Sequence, residues 1–467
     1  MVGRASTTKA LWWLSAAIVA ASVVGVAAFV VLTIRERFPY WGEAEVVFEA
    51  SRVRRGYPLF VDPLRGALEY GPPPSRYYVT YPPILSYALA LVPSSAALLV
   101  GRIAACIAWF GSLAWIATTS PRECRSNAIL SAAYVAGVWL LVNFSMTTRP
   151  DSFACCLAAV GLTRAIRNGK VDALSAVLLV LAPWLKPTLL GLPAGALLAD
   201  AFLRRTPRML ALASVVCVGI GVVLYVASSG LIFDHVIRSN AQPFTLAGWS
   251  LRIAHHLPFF GPLFVLALWQ GAANRRHVGT AIGLAATIGA IGWTLVAIAK
   301  TGSSANYWME PCIAAVALVA HAPGPYAFGR SGLVHAALTL LAVIYTDVAS
   351  IRTSFERIAL YRHDAAVVAS VRRRCEASPS DVIASDEQGI ELAVNGRILT
   401  TAYQIAWRVN AGKYPASLYI ADLLAPNVRC FVIHSHELHA APEVERSVGT
   451  HFTTLFTDGD VRVLKRR

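Results

Sequence analysis

Apolar runs of a length to cross about 30 Å of hydrocarbon, at roughly 20 residues each as a helix, recur along this chain and leave little of it free to fold in water. They fall near 10–34, 96–118, 127–144, 151–167, 172–186, 188–203, 209–228, 257–271, 278–299, 308–322 and 331–350. Several are short, but together they predict a mainly α protein, a polytopic transmembrane helical bundle of about eleven spans. The bundle occupies residues 1–350, and a tail of different character occupies 351–467. Composition agrees: 56% of the 467 residues are hydrophobic and only 14% are charged, values that exclude a soluble domain.

The formal net charge of +15 raises nucleic acid as a partner, and the charge pattern argues against it. Basic residues sit in short clusters between apolar runs, with no basic stripe interleaved with aromatics. Arg4 and Lys9, Arg122 and Arg125, Arg164 with Arg167 and Lys170, Arg204 with Arg205 and Arg208, Arg275 with Arg276, and Arg330 punctuate every second loop. This is the positive-inside pattern of a multi-pass protein of the cytoplasmic membrane.

Counting Pro82–Val92 as a span would break that alternation, so this stretch reads as a re-entrant or interfacial helix whose backbone protein buries. The N-terminus is then cytoplasmic, and the first run, about twice the length of a signal-peptide core, is a retained signal anchor. Segments 35–95, 145–151, 229–256, 300–307 and the tail face outward, into the periplasm or cell exterior.

Ionisable side chains gather on that outer face. The loop 35–80 carries Glu36, Glu43, Glu45, Glu49, Asp62 and Glu69 with seven arginines, Arg76 among them. Val46, Val47, Ala50 and Val53 give Glu43–Arg55 the pattern of an amphipathic helix lying on the membrane, ended by Gly56-Tyr57-Pro58. Glu49 reads as an exposed partner of Arg52 at i+3. Glu43 and Glu45 have two readings, a helix start stabilised by the dipole or functional carboxylates.

Asp151 follows Pro150 in the first turn of a helix. It reads either as a dipole-stabilising acid or as a site residue, since ionisable groups at membrane depth are costly and mark pathways or sites. Lys186-Pro187 lies at an outward turn, where Lys186 either snorkels to the interface or meets a lipid phosphate. In Asn306-Tyr307-Trp308-Met309-Glu310-Pro311 the aromatics suit an interfacial belt, and Glu310 calls for a partner, Lys300 or a metal.

The chain has neither a Walker-type loop nor a G-x-G-x-x-G fingerprint, and activated nucleotides are not available outside the cytoplasm. A sugar presented from the lipid phase meets that constraint. Transfer needs a carboxylate to take the acceptor proton, for which Glu43 and Asp151 are candidates. It also needs cations or a metal at the departing phosphate, for which Lys186, Arg76 and Arg252 are candidates.

In order, the acidic first loop, Tyr81-Pro82-Pro83, Arg149-Pro150-Asp151, Lys186-Pro187 and Asn306-Tyr307-x-x-Glu310-Pro311 resemble the GT-C class of integral membrane glycosyltransferases. The nearest branch is that of protein O-mannosyltransferases and lipid A aminoarabinose transferases. The similarity runs over about residues 10–350, and the tail is similar to that of bacterial members. The resemblance implies a polyprenyl-phosphate-linked sugar donor, a glycan, lipid or protein acceptor, and commonly a divalent metal, Mg or Mn. It places Glu43 as the first-loop acid with Glu45 its neighbour and Asp151 as the second acidic position, Glu43 and Asp151 being the implied metal ligands. Arg149, Tyr81, Asn306, Tyr307 and Glu310 join Lys186, Arg76 and Arg252 as implied substrate-binding positions. Many relatives carry Asp in the first loop and His or Lys before the Pro-Pro pair, where this chain has Glu43 and Tyr81.

A transporter or lipid flippase is the rival reading, with the same charges lining a translocation path. Against it, the halves show no internal repeat and no matched pair of Gly- or Pro-broken spans. A catalytically inert binding or assembly subunit is a third reading.

The tail predicts a charged helix over about 354–376 and strands at 381–385, 397–401, 417–422, 429–434 and 461–465, a small α/β domain. Its His434-x-His436-x-x-His439 has the spacing of a metal site and equally that of a strand leaving into a polar loop. Cys106, Cys155, Cys156, Cys217 and Cys312 lie in apolar runs and Cys124 in an inward loop, as small hydrophobes or free thiols. Only Cys375 and Cys430 share the outward tail, where an oxidising compartment permits a bridge.

Overall fold

The computed structural model describes residues 2–39, 42–322, 365–434 and 437–467, with single positions between 351 and 363. The apolar run 331–350, Trp41 and His436 lie outside the described residues. Two compact units result, one of 1–35, 102–223 and 243–355, the other of 36–101, 224–242 and 356–467. The tail therefore clusters in one unit with residues 36–101 and 224–242. The physical cause is a set of bonds far apart in sequence. Arg76 pairs with Asp422, its backbone N–H donates to Leu399 O at 2.5 Å, and Asn427 Nδ2 donates to Pro72 O at 2.6 Å.

The first unit is helical. Its elements are α1 (Val2–Thr33), most of α4 (Ser94–Thr119), α5 (Arg125–Gly137), α6 (Trp139–Ser145), α7 (Pro150–Asn168), α8 (Ala173–Leu185), α9 (Gly191–Leu203), most of α10 (Arg208–Ala227), α11 (Leu246–Ala273), α12 (Val278–Ala297) and α13 (Met309–His321). Every residue of α13 is buried, at the centre of one core that α7, α8, α9, α11 and α12 share. Glycine lets two of these helices touch by their backbones. A Cβ on Gly191 of α9 would stand 2.2 Å from Gly289 O of α12, and one on Gly195 would stand 2.4 Å from Ala285 O. Small residues at such a crossing are the usual device of helices packed in lipid.

Five described helices are long and apolar enough to cross a membrane, and six if the bent pair α5–α6 is one span. The runs near 10–34, 96–118, 209–228, 257–271 and 278–299 thus correspond to full-length helices. The runs 172–186, 188–203 and 308–322 form helices of 13 residues each, about 20 Å long at 1.5 Å per residue. The run 127–144 breaks by 75° between α5 and α6. There Val138 is extended, and the Gly137 carbonyl accepts the Ser22 hydroxyl of α1 at 2.9 Å.

In the second unit, α2 (Glu43–Arg54) opens after Gly42 at φ 79, a left-handed position that suits glycine. Pro82–Val92 holds the seven-residue α3 (Ile84–Ala90), as expected for a stretch that is not a span. Helix α2 buries its acids along with its apolar residues: Glu43, Ala44, Glu45, Val46, Phe48, Glu49, Ala50 and Arg52 are all buried, while Arg54 is exposed. Within its unit α3 and α15 pack on it. Arg52 pairs with Glu69 inside a ring of Phe48, Tyr57, Tyr70 and Tyr77, so the expected exposed pair with Glu49 does not form.

The tail carries α14 (365–374), β1 (Val382–Ser385), α15 (Gln388–Asn395), α16 (Ala402–Asn410), α17 (Ala416–Leu423), β2 (Val428–Ile433), α18 (Pro442–His451), β3 (Phe452–Asp458) and β4 (Val461–Arg466). The sheet order is β1-β2-β4-β3, with β1 parallel to β2 and the other pairs antiparallel. Strands expected at 381–385, 429–434 and 461–465 are present. The stretch 417–422 is instead helix α17, whose buried residues Tyr419 and Leu423 stand four apart, the helical period rather than the strand period. Residues 397–401 make only an isolated bridge, Arg76 to Thr400. Strand β3 was missed, although Gly459 at φ 58 marks its hairpin.

Cys375 and Cys430 are bridged, with Cα atoms 6.3 Å apart, tying α14 to β2. Alkylation of denatured protein with and without reductant should therefore show two extra reactive thiols after reduction. Removing the bridge, as Cys375→Ser with Cys430→Ser, should lower stability by about 2–5 kcal/mol, read by thermal unfolding of the purified protein.

Candidate functional site

Two proline dipeptides build the cluster at the heart of the first unit. A residue before proline is pushed out of the helical region, and Arg149 is accordingly extended at φ −132, ψ 157. Pro150 then starts α7 at N1 and sets Asp151 in its first turn. Pro187 does the same at the other end of a helix, ending α8 with Lys186 extended at φ −137, ψ 103. The two ends meet: Lys186 Nζ pairs with Asp151 Oδ1, which also accepts Asn306 Nδ2 at 2.8 Å. Arg149 Nε lies 3.4 Å from Asp151 Oδ2. That second oxygen is buried and accepts no hydrogen bond from the described residues.

Asp151, Lys186, Thr188, Asn306, Tyr307 and Glu310 line a cleft, with Cys155 and Leu189 completing its wall. Lys186 Nζ stands 5.5 Å from the centre of the Tyr307 ring, within cation–π range. Glu310 finds a partner in the backbone at the start of α9. Its Oε1 accepts the backbone N–H of Leu192 at 2.6 Å and so caps the start of α9, where orphan donors of a helix collect. Five of the sequence candidates thus share one cleft, with Arg149 beside them. Thr188, two residues after Lys186, is the addition the sequence reading missed.

In the second unit Glu43 is fully buried in the first turn of α2, and Glu45 is buried beside it. Glu45 Oε2 accepts the Thr80 hydroxyl at 2.8 Å, and Glu49 accepts the Ser86 hydroxyl at 2.6 Å. Burial pushes the Glu49 carboxyl up to about 8, against the lowering by Ser86 and with a further rise from Glu45. Glu387, at the N-cap of α15, is raised by burial too, and Glu45 is among the charges acting on it. Thr80, Ser86 and Gln404, whose amide reaches Thr80 at 3.1 Å, were not among the sequence candidates. Thr80 immediately precedes Tyr81-Pro82-Pro83, which is a usable signal. Gln404 has none, lying 324 residues away.

The remaining candidates have structural partners. Arg76 is taken up by Asp422 and by the carbonyls of Pro63 and Leu64. Arg252 donates to Ile298 O at 2.7 Å and Lys300 O at 3.0 Å, bonding the end of α12. Tyr81 is half-buried in the turn before α3.

A divalent metal does not fit the shell around Asp151. Mg or Mn takes oxygen ligands, whereas Asp151 is faced by an ammonium, a guanidinium and an amide N–H₂. Among the described residues no three His, Cys, Asp or Glu side chains are grouped to hold a metal, and His436 of the tail motif lies outside them.

No family model matches the sequence, and no curated protein matches it. Solved structures do match in fold. The crystal structure of ArnT from Cupriavidus metallidurans in the apo state is 12% identical and superposes with a TM-score of 0.57, covering 95% of this chain and 96% of that one. The structure of the same protein bound to undecaprenyl phosphate is 12% identical with a TM-score of 0.56, covering 97% of each chain. The GT-C-like fold that the ordered motifs suggested is therefore the fold of this chain over nearly all of its length.

Proposed function

We propose that the protein is a membrane glycosyltransferase that moves a sugar from a polyprenyl-phosphate donor to a lipid, glycan or protein acceptor of the cell envelope. The observation that carries this reading is the Asp151–Lys186–Asn306 cluster in its cleft, within a fold matched almost end to end by a structure bound to undecaprenyl phosphate. The chain is read as a multi-pass protein of the cytoplasmic membrane, its N-terminus inside and its acidic face and tail outside.

In this reading Lys186 meets the donor phosphate as a point charge, with Arg149 adjacent. Asp151 keeps Asn306 as its donor, and its second oxygen accepts a hydroxyl of the donor sugar. A carboxylate, Glu43 or Asp151, takes the acceptor proton. The acceptor oxygen bonds to the anomeric carbon, the bond from that carbon to the phosphate oxygen breaks, and polyprenyl phosphate leaves with the electron pair.

Mass spectrometry of a deletion strain tests the reading in the cell. One envelope glycan should lose a sugar residue while the corresponding polyprenyl-phosphate sugar accumulates. Unchanged glycans together with an unchanged lipid-linked pool would refute it.

A further inference from the structure

Thr80 stands where three segments of the second unit meet. Its hydroxyl donates to Glu45 Oε2 at 2.8 Å, Gln404 Nε2 of α16 donates to that same hydroxyl oxygen at 3.1 Å, and Asn240 Nδ2 donates to its backbone carbonyl at 2.9 Å. A threonine hydroxyl has one proton to give. Because that proton goes to Glu45, Thr80 can only accept from Gln404, and the amide must turn its N–H₂ inward. The direction of the chain is therefore fixed, from Gln404 through Thr80 to the carboxylate.

The surrounding backbone holds this relay in register. Thr401, just before α16, accepts the Tyr78 N–H at 3.0 Å through its hydroxyl and donates its own N–H to Arg76 O at 3.3 Å. The Arg76–Asp422 pair ties the same segment to α17. Gln404 is 4% exposed, and its Oε1 is buried with no hydrogen-bond partner among the described residues. A buried amide kept only for stability normally satisfies both ends. Here one end is left unmet while the other is directed at Thr80.

Glu45 has other acids around it, Glu49 one turn further along α2 and Glu387 from α15, and His434 acts on Glu387 from the end of β2. A hydrogen bond donated into one carboxyl oxygen fixes which way the Glu45 group turns among them.

We propose that Thr80 and Gln404 are positioning residues for Glu45, so that helix α16 sets the orientation of one of the first-loop carboxyl groups implied in transfer. This rests on the glycosyltransferase reading.

Two measurements on the purified full-length protein test it. The first is the position of the infrared band of the Glu45 carboxyl group at one fixed pH, assigned by its loss in Glu45→Gln. Thr80→Val should shift the band, because the group loses a donated hydrogen bond, Thr80→Ser should return it toward the wild-type position, and Gln404→Leu should add nothing in the Thr80→Val background. The second is transfer kinetics, where Thr80→Val and Gln404→Leu should each lose roughly tenfold in kcat with acceptor KM little changed, and Thr80→Ser should recover activity. A wild-type band position in Thr80→Val, or additive effects of the two substitutions, would overturn the relay. Wild-type protein that transfers no sugar would instead remove the function reading, and the infrared band would still decide whether the relay orients Glu45.

Discussion

Lys186→Ala should abolish transfer and destabilise the helical unit by about 3–5 kcal/mol, the scale seen when one member of a buried ion pair is removed. Asp151 is fully buried, and without the ammonium its carboxylate keeps only Asn306 at 2.8 Å and Arg149 at 3.4 Å. Stability and function separate in the double variant Asp151→Asn with Lys186→Met. Replacing both charges at similar volume should recover much of the thermal stability in detergent, because a buried pair is weak as a net stabiliser. Transfer should stay absent. Lys186→Arg should retain part of the donor use, since the charge is kept while its geometry changes. Full activity in Lys186→Ala would remove the lysine from the phosphate site.

Glu43→Gln should lower transfer by about a hundredfold or more, the usual scale for a positioned acid or base, with folding and membrane insertion intact. The substitution keeps the shape of a side chain that is fully buried in α2. Glu49→Gln is the matched control on the same helix. Burial holds the Glu49 carboxyl up to about 8, so near neutral pH it is mostly protonated and a glutamine imitates it closely while still accepting from Ser86. Kinetics and thermal unfolding of both variants decide the matter: equal, small losses at the two positions would leave Glu43 without a catalytic part.

Local chemistry made much of the site readable from sequence. Arg149-Pro150-Asp151 and Lys186-Pro187 are stereochemical instructions, one opening α7 and the other closing α8, and both act within two or three residues. The cleft that gathers Asp151, Lys186, Asn306, Tyr307 and Glu310 was approached in this way. The full burial of α13 was not legible, because an apolar helix facing lipid and one facing protein have the same composition. Nor was the buried state of α2. Its valines suggested one apolar face, while the packing that covers its acids comes from α3 and from α15, more than three hundred residues on. Gln404 reaches Thr80 across 324 residues, and no local pattern announces such a pairing. The tail shows the same division: Gly459 marks a hairpin locally, whereas α17 was misread because a short apolar run fits either period.

The most direct test is transfer by the purified protein in liposomes, offered either a polyprenyl-phosphate sugar or the matching nucleotide sugar, with an extract of envelope lipids, glycans and proteins as acceptor. The expected result is sugar transferred from the lipid-linked donor alone, with release of polyprenyl phosphate and with Lys186→Ala inactive. Transfer from the nucleotide sugar in liposomes free of polyprenyl lipid would contradict the proposed donor and the role given to the Asp151–Lys186 cleft.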